Sequence, residues 1–458
     1  MSQALDRIRR AARLDDKLQF TALLHHVDVG LLWESYHALK RGAAPGVDGI
    51  TWEDYGQDLE DNLHDLHGRV HRGAYRALPS RRQYIEKADG GQRPLAIAAL
   101  EDKIVQRAMV AVLNRIYEED FLGFSYGFRP GRGQHDALDA LSVGITSRKV
   151  GWILDADIAG FFDSIDQHWL MRFVEHRIGD RRVLRLIRKW LKAGILEAGR
   201  VTVPETGTPQ GSVISPLLAN VYLHYALDQW AAQWRRRHAR GDMIIVRYAD
   251  DFVVGFQFRD DAERFQTALT ERLKSFALSL HPDKTRLLEF GRFAAANRAR
   301  RGLGKPETFT FLGFVHICAK SRKGKFQLRR KTRGKRQKAK LKGIKDELRK
   351  RMHAPPVEQG RWLAQVVGGY FAYYAVPTNG PALSAFRADV KRLWWQSLRR
   401  RSQNDRTTWA KFGRLAERWL PQVRITHPWP NVRFFVKYPR QEPGALVAHA
   451  GICAGGAG

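Results

Sequence analysis

Residues 244–256 read IIVRYADDFVVGF. Two apolar, β-prone runs, 244–246 and 252–254, flank Tyr248, Ala249, Asp250 and Asp251. Aspartate favours turns, so the stretch predicts a hairpin with Asp250 and Asp251 at its bend. Two readings of the pair stand open. One is a solvated turn. The other is a metal site: adjacent carboxylates repel, a divalent cation relieves that repulsion, and Mg²⁺ prefers oxygen ligands. The choice turns on a third carboxylate elsewhere and a substrate that needs magnesium.

LDADIAGFFDSID (154–166) offers the third acid. Asp157 closes an apolar strand and is followed by Ile158 and the pair Phe161 and Phe162; Asp155 and Asp163 compete for the role. If Asp157 meets Asp250 and Asp251, the three can hold two Mg²⁺ ions roughly 3.5–4 Å apart, the geometry of in-line phosphoryl transfer.

Around these stretches, strands and helices interleave without a βαβ period, which predicts an α+β fold. Residues 18–39 look mostly helix-compatible. A strand over 82–87, a turn at 89–91 and a second strand precede a helix from about Leu100. Further helices are expected from Gln134, over 167–197, after the Gly/Pro loop at 206, and over 261–277; strands are expected near 151–158, 284–290 and 308–317. Composition then changes. Residues 321–440 hold 31 Lys/Arg against 6 Asp/Glu, most of the chain's net charge of +31, and look helical and aromatic. The stretch from 441 lacks a packing pattern and reads as a loose tail.

The 458 residues exceed one ordinary core, predicting two or three domains. So positive a field concentrates polyanions, with nucleic acid the first partner to consider and an anionic membrane surface its competitor. The two cysteines, Cys318 and Cys453, are too few and too far apart for a disulfide framework or a zinc finger. The first twenty residues have no apolar core of signal length, and no run of about 18 apolar residues occurs. The expectation is no membrane span and a cytoplasmic protein, nucleoid-associated when bound to DNA.

With these residues in view, the chain resembles the reverse transcriptases of bacterial group II introns, also called intron-encoded proteins or maturases. DADIAGFFDSID resembles the first catalytic palm motif, GTPQGSVISPLLANVYLH (207–224) the template- and primer-positioning motif, and RYADDFVVGF the Asp-pair motif. HPDKTRLLEFGRF (281–293) and FTFLGF (309–314) resemble the later palm motifs. APGVDGIT (44–51), RRQYIEKADGGQRPLAI (81–97) and FSYGFRPGRGQHDAL (124–138) resemble the amino-terminal and finger blocks. The motifs keep the family's order over roughly 35–440. The resemblance favours the metal reading of the Asp pair.

It also implies a right-hand polymerase: an N-terminal extension and basic loop (1–75), fingers and palm (76–318), an α-helical thumb or maturase domain (319–440) and the tail (441–458). Asp157, Asp250 and Asp251 are implied as the catalytic acids and Mg²⁺ ligands, Mn²⁺ being the substitute ion, with the Ile158 carbonyl helping and Asp251 either ligand or support. Phe162 matches the steric gate against a ribose 2′-OH; a core aromatic is its rival reading. Lys87 and Arg93 bracket a Gly-rich turn from which both could reach a triphosphate. Gln210 and Gly211 match residues beneath the templating pair, and Lys284 a lysine near the outgoing pyrophosphate. Tyr248 falls on the template–primer side. Arg129 is read as a template contact or a structural residue, which the sequence does not separate. Ala249 sits where the family keeps a small residue.

The implied partners are group II intron RNA, an RNA template with a DNA primer, dNTPs and target DNA. No Cys pairs or His/Asn cluster follow residue 440, so the short, endonuclease-lacking type is expected. A maturase with an idle polymerase, and a domesticated relative in defence or repair, are the rival functions.

Overall fold

The computed structural model describes residues 3–86, 91–401 and 408–438. Helices α1 (Gln3–Leu14), α2 (Val29–His37), α3 (Trp52–Tyr55) and α4 (Leu59–Arg72) precede strands β1 (Ser80–Glu86) and β2 (Gln92–Ile97). Next come α5 (Leu100–Asp120), α6 (Gln134–Ser147) and β3 (Trp152–Asp157). They are followed by α7 (Phe161–Ser164), α8 (Gln167–Arg177), α9 (Arg181–Lys192), β4 (Ile195–Glu197) and β5 (Arg200–Thr202). Helix α10 (Ser215–Leu223) runs through a π-helical stretch, His224–Asp228, into α11 (Gln229–Arg237). The hairpin β6 (Met243–Tyr248) and β7 (Asp251–Phe256) leads to α12 (Arg259–Lys274), β8 (Arg286–Glu289) and α13 (Ala294–Arg300). Strands β9 (Phe309–Phe311), β10 (Phe314–Lys320) and β11 (Phe326–Thr332) come next. The described residues end with α14 (Gly334–Lys350), α15 (Pro356–Tyr374), α16 (Gly380–Arg399), α17 (Trp409–Trp419) and α18 (Pro430–Lys437).

The architecture is α+β, as expected. Three sheets form, ordered β2-β1-β4-β5, β6-β7-β3-β8 and β11-β10-β9. The second sheet positions the site. Its neighbours are antiparallel, and helices cover both of its faces, so its strands read as unbroken apolar runs. Successive side chains along a strand point to opposite faces. Leu154, Ile245, Phe252 and Val254 accordingly join one core with α5, α8 and α12. Ile153, Ile244, Val246 and Val253 join another with α6 and the C-terminal helices, including Leu363, Val390 and Trp394. The basic C-terminal region is therefore packed on the sheet's second face rather than around a core of its own.

Three expectations change. Residues 326–332, inside the region read as helical, form β11, paired with β10 from Phe314↔Thr332 to Lys320↔Phe326. Leu328, Arg330 and Thr332 turn inward while Arg329 and Lys331 face water. The period of two was present but carried by charged residues. Strand β10 also runs without a break across residues 318 and 319. Residues 18–39 yield only a 3₁₀ turn, Leu24–His26, and α2. There the Asp180 carboxylate captures the amides of Leu23 (2.8 Å) and Leu24 (3.0 Å), and Asp28 caps α2 by accepting from Leu31 (2.7 Å). The helices expected over 167–197 are α8 and α9, after which β4 pairs with β1. The turn at 89–91 falls largely outside the described residues, and the tail from 441 wholly so. Among the described residues no helix is long and apolar enough to cross a membrane.

Candidate active site

The β6–β7 hairpin leaves two residues, Ala249 and Asp250, between the paired Tyr248 and Asp251. Such short turns need positive φ at the first central residue, and Ala249 adopts φ +55°. Asp250 thus stands at the tip and Asp251 opens β7. Across the sheet, Asp157 at the end of β3 is the direct partner of Asp251. Register, not proximity in sequence, brings these two residues together.

Burial and crowded like charges together raise the pKa values of the Asp250 and Asp251 carboxyls. Burial, and beyond it Asp157, pushes the Asp250 carboxyl above its ordinary value, while the charges of Arg93 and Arg247 oppose the rise. Asp251 is pushed up to about 7, by burial first and then by Asp250, Asp157 and Asp155. Its side chain remains exposed to solvent. Asp155, the competing acid, is pushed up to about 6 by burial and lies 3.7 Å from Arg286. The Lys284 ammonium is 2.6 Å from Asp157 Oδ2, so the protein's own cation offsets part of the negative charge.

The donor set is all oxygen, as a hard divalent cation requires. Among the described residues no three His, Cys, Asp or Glu side chains are gathered into a ready metal cage. An open site with a few carboxylates suits Mg²⁺, which completes its shell with water and substrate phosphates.

The other sequence-derived residues lie on β2, β6, α7 and the loops that follow β3 and β5. Ile158 is buried and bridges to Leu280. Phe162, half-buried on α7, meets Phe161 edge to face at 5.4 Å. Its carbonyl accepts from Thr208 N (2.8 Å), which ties α7 to the 206–212 loop. In that loop Gln210 Nε2 lies 3.4 Å from Asp163, and Gln210 O accepts from Ala96 N of β2 (2.6 Å). Gly211 has φ +111°, and a Cβ there would meet Ala96 O at 2.7 Å. The close approach that requires glycine is therefore to β2. Arg93 is exposed on β2 and near enough to bias Asp250. Tyr248 is half-buried, 6.4 Å from Phe128. Lys87 lies outside the described residues.

Of the two readings of Arg129, the structural one fits and the template contact does not. Arg129 is buried: Nε and Nη2 bond Glu118, and Nη1 donates to the carbonyls of Leu122 and Ser125 (both 2.9 Å). A guanidinium so committed closes the 122–129 loop and is not free for a template. The sequence reading also missed Arg247, Asn220 and Asp228, which are buried beneath the Asp250 turn. The signal was an arginine inside an otherwise apolar strand, explicable only by a buried partner.

The family described as reverse transcriptase (RNA-dependent DNA polymerase) matches residues 85–316. The chain is 34% identical over 324 residues to protein YkfC of Escherichia coli (strain K12), covering 63% of this chain and 80% of that protein. It is 33% identical over 238 residues to the group II intron-encoded protein LtrA of Lactococcus lactis subsp. cremoris, covering 52% of this chain and 39% of LtrA. An uncharacterized 91 kDa protein in the cob intron of Schizosaccharomyces pombe (strain 972 / ATCC 24843) is 45% identical over 152 residues, 33% of this chain and 18% of that protein. The match spans the whole sheet that carries Asp157, Asp250 and Asp251, and the chain belongs to the reverse transcriptase (RNA-dependent DNA polymerase) family.

Proposed function

We propose that this protein is the RNA-directed DNA polymerase of a group II intron, which also binds the intron RNA as a maturase and copies it during retrohoming. One observation carries the polymerase part: the register that sets Asp157 against Asp251, with Asp250 at the adjoining turn. The printed names of relatives such as LtrA support the intron part. On this reading the fingers and palm run from residue 76 through β11, and the helices α14–α18 form the thumb.

Enzymes of this family use a divalent metal, and magnesium is the ion proposed here, as a pair held by Asp157, Asp250, Asp251 and the Ile158 carbonyl. Bound there, the metal would lower the pKa of the primer 3′-hydroxyl and offset charge on the leaving pyrophosphate. The chain's own groups do the rest. The exposed guanidinium of Arg93 binds the triphosphate of a dNTP. The Phe162 ring excludes a ribose 2′-OH. Lys284, released from Asp157, gives a proton to the pyrophosphate. The lysines and arginines of α14–α18 hold the RNA template with its DNA primer, and intron RNA, through phosphate contacts; target DNA is the remaining partner.

Primer extension on an RNA template, with purified protein, dNTPs and Mg²⁺, tests the reading beside an Asp250→Asn/Asp251→Asn double variant. DNA product from the wild type alone is expected. No product from wild-type protein that binds the RNA tightly overturns the polymerase and leaves a maturase.

A further inference from the structure

Arg247 is sealed from solvent, yet each of its five donors has an acceptor. Nε donates to Asp228 Oδ1 (2.7 Å), and Nη2 to Asp228 Oδ2 (2.5 Å) and Ser125 Oγ (2.7 Å). Nη1 donates to Asn220 Oδ1 (3.1 Å) and to the backbone carbonyl of Ala249 (2.9 Å). Asn220 Nδ2 in turn donates to Gly127 O (2.7 Å). Gly127 lies so close to the turn that a Cβ there would stand 2.3 Å from Ala249 N.

A buried ion pair is weak evidence of added stability, because apolar side chains of similar volume often serve as well. What an apolar side chain here could not do is hold the Ala249 carbonyl. That carbonyl belongs to the residue with φ +55°, and the next residue is Asp250. Left-handed backbone is unfavourable for alanine and persists where its surroundings impose it. Arg247 imposes it from below, and the Gly127 backbone packs against it.

We infer that Arg247, held by Asp228 and Asn220, is a positioning clamp for Asp250: the guanidinium fixes the Ala249 peptide and so aims the Asp250 carboxylate toward Asp157. The clamp rests on the polymerase reading of this site for its purpose but not for its geometry. Lysine cannot replace it, because an ammonium has three donors and no planar fork. Misplacement of a catalytic group by about 1 Å lowers rate on the order of 100-fold.

The test is Arg247→Lys in the full chain, with Asn220→Ala as a milder variant in case the first does not fold. Two readouts are taken: primer-extension kinetics, and amide hydrogen exchange without metal or substrate. The expected result is a kcat lowered on the order of 100-fold for Arg247→Lys, with dNTP KM and template–primer affinity within about threefold. Faster exchange should be confined to residues 124–127 and 247–251, with Asn220→Ala changing both readouts in the same direction but less. Wild-type kcat and wild-type exchange in either folded variant overturns the clamp. So does a loss spread over the whole protein, or one in template–primer affinity alone, which marks a general structural role. An inactive wild type defeats the polymerase reading instead, and local exchange still decides whether Arg247 holds the turn.

Discussion

His316 stands on β10 between Phe309 of β9 and Arg330 of β11, its ring stacked on Phe309 at 4.7 Å and sealed from water. Burial, with the Arg330 charge behind it, holds its pKa down at about 3. Burial likewise holds His135 and His224 at about 3. Below the ordinary histidine value the unfolded chain takes up protons that these folded residues refuse, so they cost stability as pH falls from about 6.5 toward 3. His316→Phe keeps the aromatic stack and removes one such proton. Its stability relative to wild type should rise by about 1 kcal/mol per pH unit below about 6, with little difference at pH 7.5. Urea midpoints at pH 5 and 7.5 check this; an unchanged pH slope would refute it. The same scale separates the legible residues from the illegible ones. Asp157, Asp250 and Asp251 announced themselves by type and motif. Arg129 did not show its role, because an arginine that binds phosphate and one that binds Glu118 are the same letter.

Among elements, α14 shows how composition and packing part company. It buries only Ile344 and Leu348, while Lys335, Lys338, Lys342 and Lys345 face water. Among the described residues none pairs with those four charges, which suit a polyanion. Replacing all four with glutamine should leave thermal stability nearly unchanged and flatten the salt dependence of RNA binding. The slope of log K against log [salt] should lose about 0.7–0.9 for each phosphate contact removed. Filter binding across a salt series measures it, and an undiminished slope would place the RNA elsewhere. Strand β11 makes the complementary point. Its basic residues look like a continuation of α14, but Arg330 and Thr332 turn inward and close a sheet. Charge density hid an alternation that a partner strand, β10, made decisive.

At the scale of the whole molecule, the C-terminal helix returns to a helix nearly 300 residues earlier. Asp139 of α6 accepts from Arg330 Nη1 of β11 (3.0 Å) and Arg433 Nε of α18 (2.5 Å), and Lys437 reaches Asp136 (2.6 Å). His135 stacks on His427 at 4.0 Å beside them. Asp139 and Arg330 are buried, so Asp139→Ala leaves Arg330 charged, enclosed and unpaired. A loss of about 3–5 kcal/mol is expected, whereas Lys437→Ala, at the exposed end of its pair with Asp136, should cost about 1 kcal/mol or less. Chemical unfolding of the two variants tests the difference; equal, small losses would show that Arg330 does not depend on Asp139.

The sequence by itself determined what local chemistry can encode: the α+β class, the Asp-pair hairpin, the strand ending in Asp157, the basic C-terminal region and, through ordered motifs, the polymerase family. Turn preference, strand periodicity and net charge are read from neighbouring residues, so no distant contact was needed. Only the tertiary structure decided that Asp157 faces Asp251, that Arg247 grips the Ala249 carbonyl, that Arg129 faces inward, and that residues 326–332 are a strand. Each of these depends on which distant residue supplies the missing partner for a buried charge or an unpaired backbone edge. That pairing is set by the packing of the whole chain and not by the spacing of its letters.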